Sequence, residues 1–148
     1  MKNTVSVLNE LLVDTFNEIL SIEQKALHEG VFKDLSVTEI HTIEAIGMYG
    51  TKTMSEVAGI LRITVGTLTT AINHLVKKEY VERKKSEKDR RVVQISLSRK
   101  GKLAYRVHER FHADMVKAII KELTTEEEQV LINSLDKLNC FFKKKIQL

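Results

Sequence analysis

The sequence predicts a mainly α fold carrying one small β-hairpin, and three observations predict it. Apolar residues recur at three- and four-residue steps over most of the chain, the rhythm of helices with one buried face. Proline is absent from all 148 residues, of which 43% are hydrophobic and 30% charged, a composition that suits one compact helix-rich unit. Only between residues 80 and 98 does the pattern shift to the two-residue alternation of strands, with Val93, Ile95 and Leu97 on one face.

Val5, Leu8, Leu12, Phe16, Ile19 and Ile22 place a first amphipathic helix over residues 4 to about 27, with His28, Glu29 and Gly30 at its exit. Ser36-Val37-Thr38-Glu39 is a capping box, in which hydroxyl and carboxylate satisfy free backbone N–H groups. It opens a second helix through Ile40, Ile43 and Ile46, closed by Gly47 and Gly50. The pattern recurs at Thr53-Met54-Ser55-Glu56, opening a short helix with Val57 and Ile60. Arg62 and Ile63 form a turn, and Thr64 caps a further helix whose Val65, Leu68, Ile72 and Leu75 form its buried stripe. Strands are expected at 80–86 and 92–98, with Glu87 to Arg91 as the turn between them.

Two short helices joined by a turn of about three residues, the second running into a strand, describe a helix-turn-helix. The outer face of its second helix carries Thr64, Gly66, Thr67, Thr70, Asn73 and His74, small or hydrogen-bonding residues with no carboxylate among them. A helix that reads DNA needs this, because acids repel phosphate while Thr, Asn and His can meet base edges. A merely solvated helix of so charged a chain would carry Glu and Lys there.

Charge is distributed to match. Residues 77 to 102 hold eleven Lys/Arg against four acids, +7, whereas the remainder holds 13 against 16, −3. A basic block on a mildly acidic body is the footprint of a phosphate-backbone binder, although charge runs alone are often only solvated faces. Within this block Lys85, Lys88, Arg90 and Arg91 lie at or beside the hairpin tip, which becomes a wing over the flanking minor groove. Asp89 is unfavourable towards phosphate unless paired, so it is expected to hold one neighbouring arginine while the other is aimed at DNA.

With helix, helix, helix-turn-helix, the DRR wing (89–91), and Leu97-Ser98 capping a helix that has Gly101 in its first turn, the chain resembles the MarR family of winged helix-turn-helix regulators over nearly its whole length. Glu79 is a departure, since the family usually carries Gly at the turn after the recognition helix. The stretches 32–47, 64–75, SEKDRRVV (86–93) and RVHERFH (106–112) are similar to the members that repress fatty-acid synthesis genes. The resemblance implies a single unit over 1–148, with a winged helix-turn-helix DNA-binding part at 31–98 and a helical dimerisation part at 1–30 and 99–148. It implies a homodimer on a pseudo-palindromic operator in double-stranded DNA, and repression tightened by acyl carrier protein bearing a long-chain acyl group.

The residues supply means for both. A helix over 99–122 carries Leu103, Val107, Phe111, Met115 and Ile119, and Thr124-Thr125-Glu126-Glu127 caps a last helix with Leu131, Leu135, Leu138, Phe142 and Ile146. Together with the first helix these offer more apolar stripe than one small winged domain covers. Phe16, Ile19, Ile43, Ile46, Val107 and Phe111 could wall an acyl site, and Lys102, Arg106 and Arg110 could meet an acidic carrier; core packing accounts for the same apolar residues.

Other chemistry is weaker. His108 and His112, four apart on one helix, could share a metal with His41 or Glu23, but Arg106 and Arg110 interleave them and no cysteines cluster, so hydrogen-bonded histidines and no metal or other cofactor are expected. A regulator answering to zinc or to a small organic ligand is the alternative. Cys140, the single cysteine, cannot form an intrachain disulfide; beside Phe141 and Phe142 it reads as a buried inert thiol. No nucleophile, base and orienting group assemble into a motif and no phosphate-cradling glycine loop is present, so an enzyme is not expected. The N-terminus lacks the apolar core of a signal peptide and no stretch nears the roughly 20 apolar residues of a membrane span, which together suggest a reduced, cytoplasmic setting. A winged-helix adaptor that binds proteins instead of DNA remains a further alternative, opposed by the carboxylate-free face.

Overall fold

The computed structural model describes residues 1–146. The chain forms two compact units, Met1–His108 and Glu109–Leu148, the boundary falling within a helix.

In the first unit α1 (Thr4–Glu29) starts at Asn3, whose side chain accepts from Ser6 N–H, and ends at Gly30. Its apolar face is largely open: Val5, Leu8, Leu11, Phe16 and Leu20 are exposed, and the buried residue of the helix is Glu23. α2 (Val37–Ile46) begins with both halves of the capping box, Ser36 Oγ accepting Glu39 N–H at 3.1 Å and Glu39 Oε2 accepting Ser36 N–H at 3.2 Å. After the glycine turn, a two-residue strand β1 (Lys52–Thr53) leads into α3 (Met54–Leu61). Arg62 closes α3 with a left-handed φ of 57°, turning the chain into α4 (Val65–Lys77), capped by Thr64.

Glu79 then takes φ 68°, the left-handed conformation in which glycine is unstrained, so the turn forms with a side chain where the resemblance leads one to expect glycine. β2 (Val81–Lys85) and β3 (Val93–Leu97) pair antiparallel from Val81 with Leu97 to Lys85 with Val93, and β1 adds to the other edge of β3, Lys52 opposite Ile95. The sheet order is β1-β3-β2. α5 (Arg99–Lys121) follows at once, with Ser98 Oγ accepting Gly101 N–H at 3.0 Å. Gly101 has a strict spatial reason: a Cβ there would sit 2.1 Å from the carbonyl oxygen of Tyr80.

The core lies inside the winged part. Ile40, Ile43 and Ile46 of α2, Val57 of α3, Leu68, Ile72 and Leu75 of α4, then Tyr80, Ile95 and Ala104 are essentially inaccessible. Tyr80 donates to Asp34 Oδ1 at 2.7 Å and packs edge-on against Phe32. Its phenol is pushed well above the usual range, first by burial and then by the Asp34 hydrogen bond and the Asp34 and Glu39 charges.

The second unit contains the end of α5 and α6 (Thr125–Ile146), opened by a capping box in which Thr124 Oγ1 accepts Glu127 N–H and Glu127 Oε2 accepts Thr124 N–H. No residue of α6 is buried in the chain, and Val130, Ile132, Leu135, Phe141 and Phe142 are among its open apolar positions. Two expectations change. Cys140 is exposed, because the aromatic neighbours that suggest burial lie on a helix with no buried residue. Val65, expected in the buried stripe of α4, is exposed at 44%, since it faces away from the core. Among the described residues no helix is long and apolar enough to cross a membrane. The dimerisation part expected at 99–148 has its last two positions outside the described residues.

Candidate nucleic-acid interface

The helix-turn-helix is held from behind by apolar packing and in front by short polar links. Leu68, Ile72 and Leu75 seat α4 in the core, which turns Thr64, Gly66, Thr67, Thr70, Asn73 and His74 outward, all exposed. No acid occurs between Thr64 and Lys78. Thr64 caps the helix by accepting Thr67 N–H at 3.1 Å, and its hydroxyl lies 2.9 Å from that of Thr67. The first turn therefore fixes the Thr67 hydroxyl at the end of the helix that points its free N–H groups outward.

A second set of links fixes the other end of α4. Lys78, its C-cap, donates to both carboxylate oxygens of Glu39 at 2.8 and 3.0 Å and to the backbone carbonyl of Asp34 at 2.5 Å. Glu39 thus serves two helices, starting α2 and anchoring the end of α4. Lys100 of α5 donates to the Lys78 carbonyl at 2.9 Å and lies over the Tyr80 ring. The Lys78–Glu39 pair is charge-assisted and partly buried, the circumstances in which an ion pair has geometric force.

The wing is joined to the helix by Arg83 of β2, which donates to the Asn73 side-chain oxygen. Neither Arg83 nor Lys78 stands out in the sequence, because each bond spans elements whose approach no local pattern records. At the tip, Ser86 N–H donates to the Val92 carbonyl at 2.8 Å and closes the turn. Asp89 Oδ1 accepts Arg91 N–H at 3.0 Å and Arg91 Nε–H at 3.2 Å, while Oδ2 accepts from the guanidinium at 3.3 Å. These hydrogen bonds, the side-chain one foremost, hold the Asp89 carboxyl below the usual carboxylate range. Arg91 is the arginine that Asp89 holds, and Arg90 beside it is exposed without a bond to Asp89 among the described contacts. Lys84, Lys85, Ser86, Glu87, Lys88 and Gln94 line a depression at the base of the tip.

The expected effector residues are distributed over both units. Ile43 and Ile46 are wholly enclosed in the winged core, at 0% and 1% exposure, and form no open wall. Phe16 and Val107 are exposed, Ile19 is half-buried, and Arg110 and Phe111 belong to the second unit. Lys102 and Arg106, with Arg99, Lys100 and Leu103, line a basic depression along the first turns of α5.

Comparison with known proteins accords with this geometry. The MarR family model matches residues 35–93, from the start of α2 through the first residue of β3. The crystal structure of Streptococcus pneumoniae FabT in complex with DNA is 44% identical, covering 93% of this chain and 96% of that one, with a TM-score of 0.89. The chain belongs to the MarR family. As a MarR-family protein it is a DNA-binding transcription regulator and not an enzyme. The HTH-type transcriptional regulator YwhA of Bacillus subtilis is 27% identical over 96 residues, 65% of this chain and 69% of that protein. A mutant of Escherichia coli MarR complexed with operator DNA shares the MarR fold at 23% identity, covering 92% and 96% of the two chains with a TM-score of 0.73.

Proposed function

We propose that this MarR-family regulator is a repressor of fatty-acid biosynthesis genes that binds a pseudo-palindromic operator as a homodimer, with long-chain acyl carrier protein as corepressor. The observation that carries this reading is the likeness to DNA-bound S. pneumoniae FabT along nearly the whole chain. In this reading residues 31–98 form the DNA-binding part, and 1–30 and 99–148 the dimerisation part. Thr64, Gly66, Thr67, Thr70, Asn73 and His74 meet base edges, Lys85 and Lys88 meet phosphates, and Arg90 enters the minor groove beside an Arg91 braced by Asp89.

The open apolar positions of α1 and α6 supply the dimer contacts, and two-fold symmetry in the protein then requires it in the site. The basic depression of Arg99, Lys100, Lys102 and Arg106 suits an acidic carrier, and Leu103 gives it one apolar wall. A corepressor strengthens repression only by preferring the DNA-competent dimer, and DNA must then tighten carrier binding by the same factor. Operator titrations with long-chain acyl carrier protein and with its unacylated form test this. Tightening by the acylated form alone, reciprocated when DNA is titrated first, is expected; equal effects of the two forms would refute the corepressor.

A further inference from the structure

The bond between the wing and the recognition helix has a direction fixed by chemistry. Arg83 of β2 donates to the side-chain oxygen of Asn73 on α4, and both residues are exposed. A guanidinium only donates, so the atom of the Asn73 carboxamide that faces Arg83 must be its oxygen. Oδ1 is thereby turned to the wing, and Nδ2, with two N–H donors, is turned away from it. Among the described residues Nδ2 has no hydrogen-bond partner within the chain. No acid lies between Thr64 and Lys78 to take those donors.

We infer that Arg83 is a positioning residue that determines base specificity: by holding Oδ1 of Asn73 it leaves this side chain a donor alone towards DNA, which selects guanine or thymine and discriminates against adenine. An asparagine free to turn reads adenine with both amide atoms, Oδ1 accepting from N6 and Nδ2 donating to N7. Both atoms must then be aimed at one base edge, which cannot happen while Oδ1 is aimed at Arg83. The remaining amide donors match N7 and O6 of guanine, which both accept, or O4 of thymine; at adenine they would meet the N6 amino group. The residue type points the same way. Aspartate at position 73 would hold Arg83 more strongly, as a charge-assisted pair, but it would offer no N–H to a base and would bring a carboxylate towards phosphate. Asparagine keeps the bond and supplies the donors.

The inference rests on the reading that the outer face of α4 meets base edges, and the test separates the two. The full chain is titrated with a duplex that it has itself selected from random DNA, and with variants in which each base pair of one half-site is changed in turn. Asn73→Ala marks the base pair that the side chain reads, as the position whose preference it erases. There the wild type should favour guanine or thymine over adenine by at least about fivefold. Arg83→Met, which removes the donors, should shift that ratio towards adenine by about fivefold or more. Arg83→Lys, again a donor only, should keep the wild-type order, and Asn73→Asp should erase it. Arg83 is exposed on β2, so its replacements leave the core untouched. Loss of a cation also weakens binding to every sequence, so the quantity that decides is the ratio between bases. Preference of the wild type for adenine at the marked position, or a ratio that Arg83→Met does not move, overturns the inference. If Asn73→Ala alters no position, the reading of α4 is at fault and the role of Arg83 falls with it.

Discussion

Asp89 places a negative charge at the tip that, in the proposed reading, approaches phosphate. Its bond to Arg91 cannot be there for stability, since an ion pair whose arginine is 92% exposed contributes little. What it does is fix an orientation for Arg91, which in the proposed reading leaves Arg90 as the arginine that meets DNA. Arg90→Ala should therefore weaken operator binding by about tenfold or more, and Asp89→Ala should weaken it too although it removes a repelling charge. Fluorescence anisotropy with a labelled operator measures both, and tighter binding by Asp89→Ala would show that the acid is only a solvated turn residue. This pairing is legible in the sequence because its partners are two residues apart. Glu79 is half legible: the missing glycine marks a turn under strain, but only the backbone, at φ 68°, shows that the turn keeps its left-handed form. Arg83 is not legible, because its bond to Asn73 depends on how β2 lies against α4.

Among the elements, helix starts and the local β2–β3 hairpin are readable, and pairing with a distant strand is not. The boxes at Ser36 and Thr124 form as expected because every bond in them is local. β1 has two residues and no pattern of its own; it exists through pairing with Gln94 and Ile95, far along the chain. The outer face of α4 leads to a prediction about two kinds of loss. Thr67→Ala or Asn73→Ala should reduce discrimination between operator and random DNA, whereas Lys85→Ala or Lys88→Ala should weaken both alike and flatten the salt dependence. Equal losses from all four would mean that α4 does not read bases. A second prediction concerns the joint between α4 and the sheet. The folded state holds Tyr80 protonated, so its contribution to stability is complete below the ordinary phenol pKa and is lost as pH rises from about 10 towards the folded value. Chemical denaturation at stepped alkaline pH should show this fall, and Tyr80→Phe should remove its slope while lowering stability at neutral pH.

For the whole molecule, the decisive property is how much apolar surface stays open. Leu135, Phe142 and Ile146 of α6 and Val5, Leu8 and Phe16 of α1 are each at least 47% exposed. Faces of this kind mark contact with another chain. Leu135→Glu should therefore shift the protein towards monomer in analytical ultracentrifugation and abolish tight operator binding, with the winged part still folded by circular dichroism; a dimer that persists would place the interface elsewhere. The exposure of Cys140 has the same origin, since apolar context in sequence does not say whether burial comes from the chain itself or from a second copy. Gly101 carries a consequence of a different order. The carbonyl of Tyr80 presses on it so closely that Gly101→Ala must push the start of α5 away from the sheet, a strain that lowers the stability of the fold and with it the melting temperature. A cell carrying this one added methyl group should keep gene control in the cold and lose it on warming, which makes the position a ready source of a conditional allele.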